Sequence, residues 1–251
     1  MSKSQNSLNF DDSQSSKTLK PQELKNCREE NDFDDTQIKV SGRCPYLYVY
    51  GIIPLKNSKD LKFNFTGLRQ KPIIIIPYED IGVLVSKYPF LNPILNEKEA
   101  MEHADILKKI AKKTTIIPMA FGNVFNDKKI LDLVLKKSYN VIKESLEKIE
   151  NKIELGVKII KNNEDNMIIN ENKITTEILN SLNNLSVKSV QGENFSERLL
   201  LNHSFLVEKN NFSKFSNAIM KSEKKYKQFK FIYTGPWPPY SFVDIHIRGQ
   251  K

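Results

Sequence analysis

The chain has 251 residues, a formal net charge of +9 and 39% hydrophobic residues, which is enough apolar material for a core. Only five of its 39 basic residues are arginine, the residue that makes most bidentate contacts to phosphate and guanine, so the composition argues against a dedicated nucleic-acid-binding surface. The sequence contains no long uninterrupted apolar run, and we therefore predict no membrane-spanning helix.

Residues 1–44 are predicted to be a disordered polar tail. They are rich in Ser, Asn, Asp and Gln, and their few apolar residues follow neither a helical nor a strand period. Both cysteines, Cys27 and Cys44, lie here, and their spacing matches no metal or redox motif. We expect two free thiols, as is usual in a reducing cytosol.

Residues 45–160 are predicted to form an N-terminal ferredoxin-like α+β domain. Its predicted elements, in chain order, are strands at 46–53, 73–76 and 81–86, a helix at 97–113, a strand at 115–119, a helix at 127–150 and a strand at 152–159. Aromatic and β-branched residues indicate the first strand, and apolar residues at helical spacing indicate both helices. The last strand alternates polar with apolar residues, so we predict a half-exposed strand with an accessible edge near Val157.

Residues 161–203 are predicted to be a helical connecting region, with weak helices at 174–182 and 195–201. Residues 204–251 are predicted to form a C-terminal α+β domain closed by a turn rich in Pro and Trp. Its predicted elements are a strand at 204–208, a helix at 212–226 and strands at 229–233 and 242–247, and the turn lies between the last two strands.

This predicted turn reads Gly-Pro-Trp-Pro-Pro-Tyr-Ser-Phe from Gly235 to Phe242. Proline fixes its own φ angle and favours extended geometry in the residue before it, so the turn should be stiff and should display Trp237 and Tyr240. The two aromatic residues either pack the last strand onto the body or form a partner-binding corner, because Trp and Tyr are favoured interface anchors. Phe121 presents the same choice, with core packing favoured.

No sequence pattern carries catalysis, a cofactor or a metal ion. The nine glycines are scattered, and no Ser or Cys lies in a nucleophile motif. His103 follows Glu99 by one helical turn, but a metal site needs further converging ligands. We therefore predict a packing role for His103, and a chain that is not an enzyme and holds neither a cofactor nor a metal ion.

Several segments match a known family in the right order. They are Tyr46-Leu47-Tyr48, the stretch from Ile117 to Phe125 that contains Phe121-Gly122, Ser204-Phe205-Leu206-Val207 and, most specifically, the segment from Gly235 to Phe242. With these, residues 46–251 resemble the gas vesicle protein F/L family. Ala120 and Asn123 depart from its pattern, since many members carry Arg and Thr there.

The resemblance implies a two-domain α+β fold with a ferredoxin-like N-terminal part. It also implies a non-enzymatic accessory role in building gas vesicles, the hollow, gas-filled protein shells that give some microbes buoyancy. The implied partners are the main shell protein and other accessory proteins, and the implied location is the cytoplasm, in association with gas vesicles.

A gas-filled shell excludes water, so its subunit must present an apolar face that aggregates unless it is escorted. We therefore hypothesise that the chain binds nascent shell subunits, either through the sheet edge at 152–158 or through an apolar groove that holds an amphipathic helix. The alternative is an RNA-binding ferredoxin-like module that stacks bases on Tyr46, Tyr48 and Tyr50, although the glycine- and phenylalanine-rich string of such modules is missing.

Overall fold

The computed structural model describes residues 46–55, 63–93, 96–162, 170–243 and 245. The predicted tail and both cysteines lie outside these residues. Within them the chain forms two antiparallel sheets. The first sheet and its helices comprise, in chain order, β1 (Tyr46–Pro54), β2 (Ile74–Tyr78), β3 (Ile81–Tyr88), α1 (Glu97–Ala111), β4 (Ile117–Pro118), β5 (Val124–Phe125) and α2 (Lys128–Ile149).

The first sheet has the strand order β2-β3-β1-β4, and β5 also pairs with β1. Alternate residues of β1 enter two different cores: Val49 and Ile52 pack with α2, whereas Tyr48 and Tyr50 pack with α1. One helix therefore covers each face of the sheet. This explains why β1 is apolar and aromatic throughout, because a strand buried on both faces has no solvent side to make polar.

Both helices of this half begin at capping side chains. The Asn96 side chain accepts a hydrogen bond from the Lys98 amide at 3.0 Å, and the Asp127 side chain accepts one from the Ile130 amide at 2.9 Å. Such caps satisfy amide donors that have no partner within the helix. The predicted start of the long helix after Asp127 is confirmed.

The second sheet and its helices comprise β6 (Lys152–Lys161), α3 (Glu171–Asn183), β7 (Lys188–Gln191), β8 (Leu199–Glu208), α4 (Phe212–Lys225) and β9 (Phe229–Trp237). The strand order is β7-β8-β6-β9. Both helices share one core with Leu155, Val157 and Ile159 of β6, so they cover the same face of the sheet. The order strand-helix-strand-strand-helix-strand, with all pairs antiparallel, is that of a ferredoxin-like unit.

The predicted α+β class with two sheet units is confirmed. The ferredoxin-like element order lies in the second sheet, whereas in the first sheet the hairpin β2-β3 precedes the first helix. The first half ends with α2 at Ile149, and the second sheet begins with β6 at Lys152. β6, which we predicted as the last strand of the 45–160 domain, therefore belongs to the second sheet. Sequence order alone cannot reveal this, because the strands that pair with β6 lie about 40 to 80 residues later.

The expectation of an accessible edge at β6 is wrong. β6 pairs with β8 on one side and with β9 on the other, and Val157 is fully buried. Its alternating sequence reflects one face packed on helices and one face without them, a pattern that central and edge strands share. The apolar strand β2, by contrast, ends the order of the first sheet.

Two further predictions need correction. The expected helix at 195–201 is wrong, since β8 begins at Leu199. The region 161–203 also contains β7, and α3 is the one helix among its described residues, 161–162 and 170–203. The segment from Gly235 to Phe242 is not a turn along its whole length. Gly235 to Trp237 complete β9, and Tyr240–Phe242 form a short 3-10 helix. The rest of the predicted strand at 242–247 lies largely outside the described residues.

Candidate protein-binding groove

A groove lies where the end of α1 faces the second sheet, and we call it the Trp237 groove. Its volume is about 260 Å³. Eight residues line it: Lys108, Ala111, Lys112, Ile153, Lys209, Phe212, Pro236 and Trp237. Five of these supply apolar surface and three are lysines, so the groove combines an apolar floor with a cationic rim.

The α1 side of the groove follows from helix geometry. Lys108, Ala111 and Lys112 are spaced by three and four residues, which places them on one face of the helix. Leu107 and Ile110 point instead into the core of the first sheet, where both are fully buried. The same two turns of α1 thus serve the core on one side and the groove on the other.

Trp237 ends β9 and is partly buried. The Nζ of Lys108 lies 4.1 Å from the centroid of its indole ring. This is a cation–π contact, worth roughly 0.5–1 kcal/mol at an exposed site. It joins a helix of the first half to a strand of the second.

The rim carries positive charge that is little neutralised. Lys108 Nζ lies 3.2 Å from a carboxylate oxygen of Asp105, in an exposed pair one helical turn apart. Lys209 Nζ lies 3.5 Å from the carbonyl oxygen of Ala111, near the negative end of the α1 dipole. Among the described residues, no carboxylate forms an ion pair with Lys112 or Lys209.

Glu154 fixes the chain that follows Trp237. It lies opposite Trp237 in the β6–β9 ladder and is 7% exposed. Its carboxylate accepts hydrogen bonds from the Ser241 amide at 2.8 Å and from the Ser241 hydroxyl at 2.6 Å. Beyond this point Val243 and Ile245 pack against the core of the first sheet. The groove is therefore bordered by a strand end that is held on both sides.

Gly235 permits the strand to reach this position. Its φ is +113°, a region that side-chain-bearing residues rarely adopt. A Cβ atom at Gly235 would also lie 2.8 Å from the carbonyl oxygen of Glu154. Both facts require glycine immediately before Pro236 and Trp237.

Of the four residues singled out in the sequence, only Trp237 lines the groove. Val157 is buried, and Tyr240 is 38% exposed outside the groove. The Phe121 ring lies about 6 Å from the rings of Tyr48 and His103 and packs against the core beneath α1. Sequence reasoning missed the three lysines. The only signal for two of them was the spacing of Lys108 and Lys112 at the end of a predicted helix.

His103 is buried, and both of its ring nitrogens form hydrogen bonds. It is 3% exposed, its Nδ1 lies 2.8 Å from the Tyr48 hydroxyl, and its Nε2 lies 2.9 Å from the carbonyl oxygen of Met119. The carbonyl can only accept, so Nε2 carries the proton and Nδ1 accepts from Tyr48. Burial lowers the pKa of His103 to about 4, which keeps the ring neutral. In the described ranges, no group of three or more His, Cys, Asp or Glu residues is placed to hold a metal ion.

The structure removes the basis of the RNA-binding alternative. Tyr48 and Tyr50 are completely buried, so neither can stack on a base. Both hydroxyls are also engaged: Tyr48 with His103, and Tyr50 with the Ser86 hydroxyl at 3.1 Å and the Leu68 amide at 2.8 Å.

In the part of the chain that the structure describes, no helix combines the length and apolar character needed to cross a membrane.

Comparison with known proteins adds a family match. The model of the family described as "Gas vesicle synthesis protein GvpL/GvpF" matches residues 46–173 and 161–244. Gas vesicle protein F1 of Halobacterium salinarum is 31% identical over 209 residues, which cover 82% of this chain and 96% of that protein. Gas vesicle protein F of Haloferax mediterranei is 31% identical over 210 residues, with the same coverage.

Two solved structures share the fold. The crystal structure of GvpF from Anabaena sp. superposes with a TM-score of 0.70 at 18% identity, covering 82% of this chain and 99% of that one. The crystal structure of GvpF from Microcystis aeruginosa gives a TM-score of 0.70 at 15% identity, covering 80% and 100%. At these identities the likeness concerns the arrangement of the two sheets and their helices.

Proposed function

Because the chain belongs to the gas vesicle synthesis protein family GvpL/GvpF, we propose that it assists gas vesicle formation by binding the main shell protein or another accessory protein. It acts in the cytoplasm in association with the growing vesicle, and it does so without catalysing a reaction. Family membership carries this proposal. The physical need is that a subunit with a very apolar face aggregates before assembly unless another protein covers that face.

The Trp237 groove is the binding surface that we propose. A partly buried Trp beside apolar residues is a typical anchor of protein interfaces, and an apolar groove beside a helix can hold one side of an amphipathic segment. Pairing with a shell-subunit strand through β6 is not part of the proposal, since β8 and β9 already occupy both sides of that strand.

The proposal is tested by co-purification of the full chain with the main shell protein and, separately, with other gas vesicle accessory proteins. Trp237→Ala should weaken capture by about ten-fold or more, as expected for an interface anchor. Phe195→Ala is the matched control, because Phe195 is also an aromatic residue but is 76% exposed and lies outside the groove. Both variants are first compared with the parent chain by thermal unfolding.

Two outcomes would overturn the proposal at different levels. Unchanged capture by a folded Trp237→Ala variant would reject the groove as the binding surface. Normal flotation and vesicle content in cells that lack the chain, together with no capture of any gas vesicle protein, would reject the function.

A further inference from the structure

We infer that the Trp237 groove binds an acidic segment of its protein partner, one in which carboxylates flank a large apolar side chain. The inference deepens the proposed function, because it uses the same surface and states the chemistry of what binds there. It rests on the way in which charged and apolar residues divide between the rim and the floor of the groove.

The floor of the groove calls for an apolar side chain. Ile153, Phe212, Pro236 and Trp237 come from β6, from the start of α4 and from the end of β9, and they meet around one cavity. A cavity of about 260 Å³ has room for a bulky apolar side chain. Burying such a side chain removes a large apolar surface from water, which makes it the anchor of the contact.

The rim calls for carboxylates. Lys108 comes from α1, Lys112 directly follows it, and Lys209 begins the short 3-10 helix Lys209–Asn211 before α4, so cations from both halves of the molecule converge on the groove. Of the described residues that line the groove, every charged one is a lysine. The Asp105 contact of Lys108 is a surface pair, which contributes little. An acidic partner therefore finds positive charge that the described part of the chain leaves largely uncompensated.

A protein segment fits this arrangement better than a nucleic acid does. Nucleic-acid binding depends on many phosphate contacts in a row, and on arginine or stacked aromatic residues for selectivity. The groove instead presents three lysines around a small apolar floor. Carboxylates on both sides of one apolar side chain match this geometry, because the anchor can enter the floor while each carboxylate remains at the solvated rim.

The single Trp of the chain gives a direct readout. Since that residue is Trp237, intrinsic Trp fluorescence of the full chain reports occupation of the groove. The probe is a synthetic peptide without Trp, in which two glutamates flank a central Leu-Phe pair on each side. A matched peptide carries glutamine in place of each glutamate. We expect saturable fluorescence change with the acidic peptide, and at least about five-fold weaker binding of the glutamine peptide.

Charge reversal at the rim tests the same point from the other side. Lys112→Glu and Lys209→Glu should each weaken binding of the acidic peptide by about five-fold, and added salt should reduce the difference. Lys137→Glu is the control, because Lys137 is an exposed lysine of α2, which covers the opposite face of the first sheet from α1. Equal binding of the two peptides, or equal losses for Lys112→Glu and Lys137→Glu, would overturn the inference.

The failures of the inference and of the proposed function can be told apart. If Trp237→Ala abolishes capture of the shell protein but the acidic peptide leaves Trp fluorescence unchanged, the groove binds a partner of another chemistry and the inference is overturned. If a single-stranded oligonucleotide binds more tightly than the acidic peptide, and Lys112→Glu weakens its binding, the inference is likewise overturned. If the acidic peptide binds as expected but no gas vesicle protein is captured, only the identity of the partner is wrong.

Discussion

Ser241 donates two hydrogen bonds to the carboxylate of Glu154, a residue 87 positions earlier, at 2.8 Å from its amide and 2.6 Å from its hydroxyl. Glu154 lies inside the second sheet, and Ser241 lies in the short 3-10 helix beyond β9. A carboxylate that is 7% exposed normally loses much of its hydration, and here two donors replace the lost water. The pair therefore anchors the segment that follows Trp237.

Replacing Glu154 should lower the stability of the whole fold and release the segment that follows Trp237. Glu154→Ala removes the acceptor of both bonds and should lower the free energy of unfolding by about 1.5–3 kcal/mol, the range for hydrogen bonds to charged groups. Chemical denaturation measures the change. Glu197→Ala, at an exposed glutamate of the loop before β8, is the control and should change stability by less than about 0.5 kcal/mol. A loss no larger than that of the control would show that the Ser241 contact contributes nothing.

Two glycines with positive φ allow backbone strain to be separated from crowding. Gly235→Ala and Gly122→Ala both place a Cβ where φ is strongly positive, at +113° and +91°. Only at Gly235 would the Cβ also meet backbone, 2.8 Å from the carbonyl oxygen of Glu154, whereas around Gly122 nothing lies within 4 Å. We expect a loss of about 1 kcal/mol for Gly122→Ala and a clearly larger one for Gly235→Ala. Thermal unfolding of both variants measures this, and equal losses would contradict the crowding at Gly235.

His103 should make stability depend on pH. Its pKa falls from 6.5 to about 4 on folding because burial disfavours the charged ring. The unfolded chain thus binds a proton below pH 6.5 that the folded chain refuses until about pH 4. Stability contributed by the neutral ring is present above pH 6.5 and is lost as the pH falls from 6.5 to 4, by on the order of 3 kcal/mol.

The measurement is the free energy of unfolding at pH 7 and at pH 4.5, for the parent chain and for His103→Gln. The variant lacks the titrating ring, so it should lose much less stability than the parent chain over this interval, whatever its stability at pH 7. His203 should add a weaker dependence of the same sign, because burial also lowers its pKa. If His103→Gln keeps the full pH dependence, the buried neutral ring is not its source.

The Tyr48 hydroxyl should contribute to the stability of the fold through its hydrogen bonds. It donates to His103 Nδ1 at 2.8 Å and accepts from the partly buried Gly122 amide at 3.3 Å, and Tyr48 itself is completely buried. Tyr48→Phe leaves both groups without this partner and should cost about 1–3 kcal/mol, the penalty for unsatisfied buried polar groups. Tyr46→Phe, two residues earlier and only partly buried, should be nearly neutral in the same denaturation assay. Similar costs at the two positions would contradict the role of the hydroxyl.

The sequence predicted the elements that local pattern determines. The long helices α1, α2 and α4 each bury a stripe of apolar residues at helical spacing, and that stripe is visible in the sequence. The run Leu199-Leu200-Leu201 misled, because a short apolar run fits a helix or a strand equally well. Pairing with β6, from about 40 residues away, decides for a strand.

The groove could be predicted only in part. The prolines and the Trp of this segment are visible in the sequence, and Trp237, one of the residues singled out there, lines the groove. The position of Lys108 over the Trp237 ring depends on how α1 meets the end of β9, 129 residues later in the chain. No local sequence pattern determines this long-range contact, so the sequence alone could not predict the cationic rim.

The polypeptide leaves the first core at Ile149 and returns to it at Val243. The ferredoxin-like unit is therefore fastened to its neighbour at entry and at exit, as an inserted loop is, and does not hang from a single linker. Rotation of one half against the other would require Val243 and Ile245 to leave the apolar core of the first sheet. A partner that binds at the groove therefore contacts two halves that the chain joins at two places.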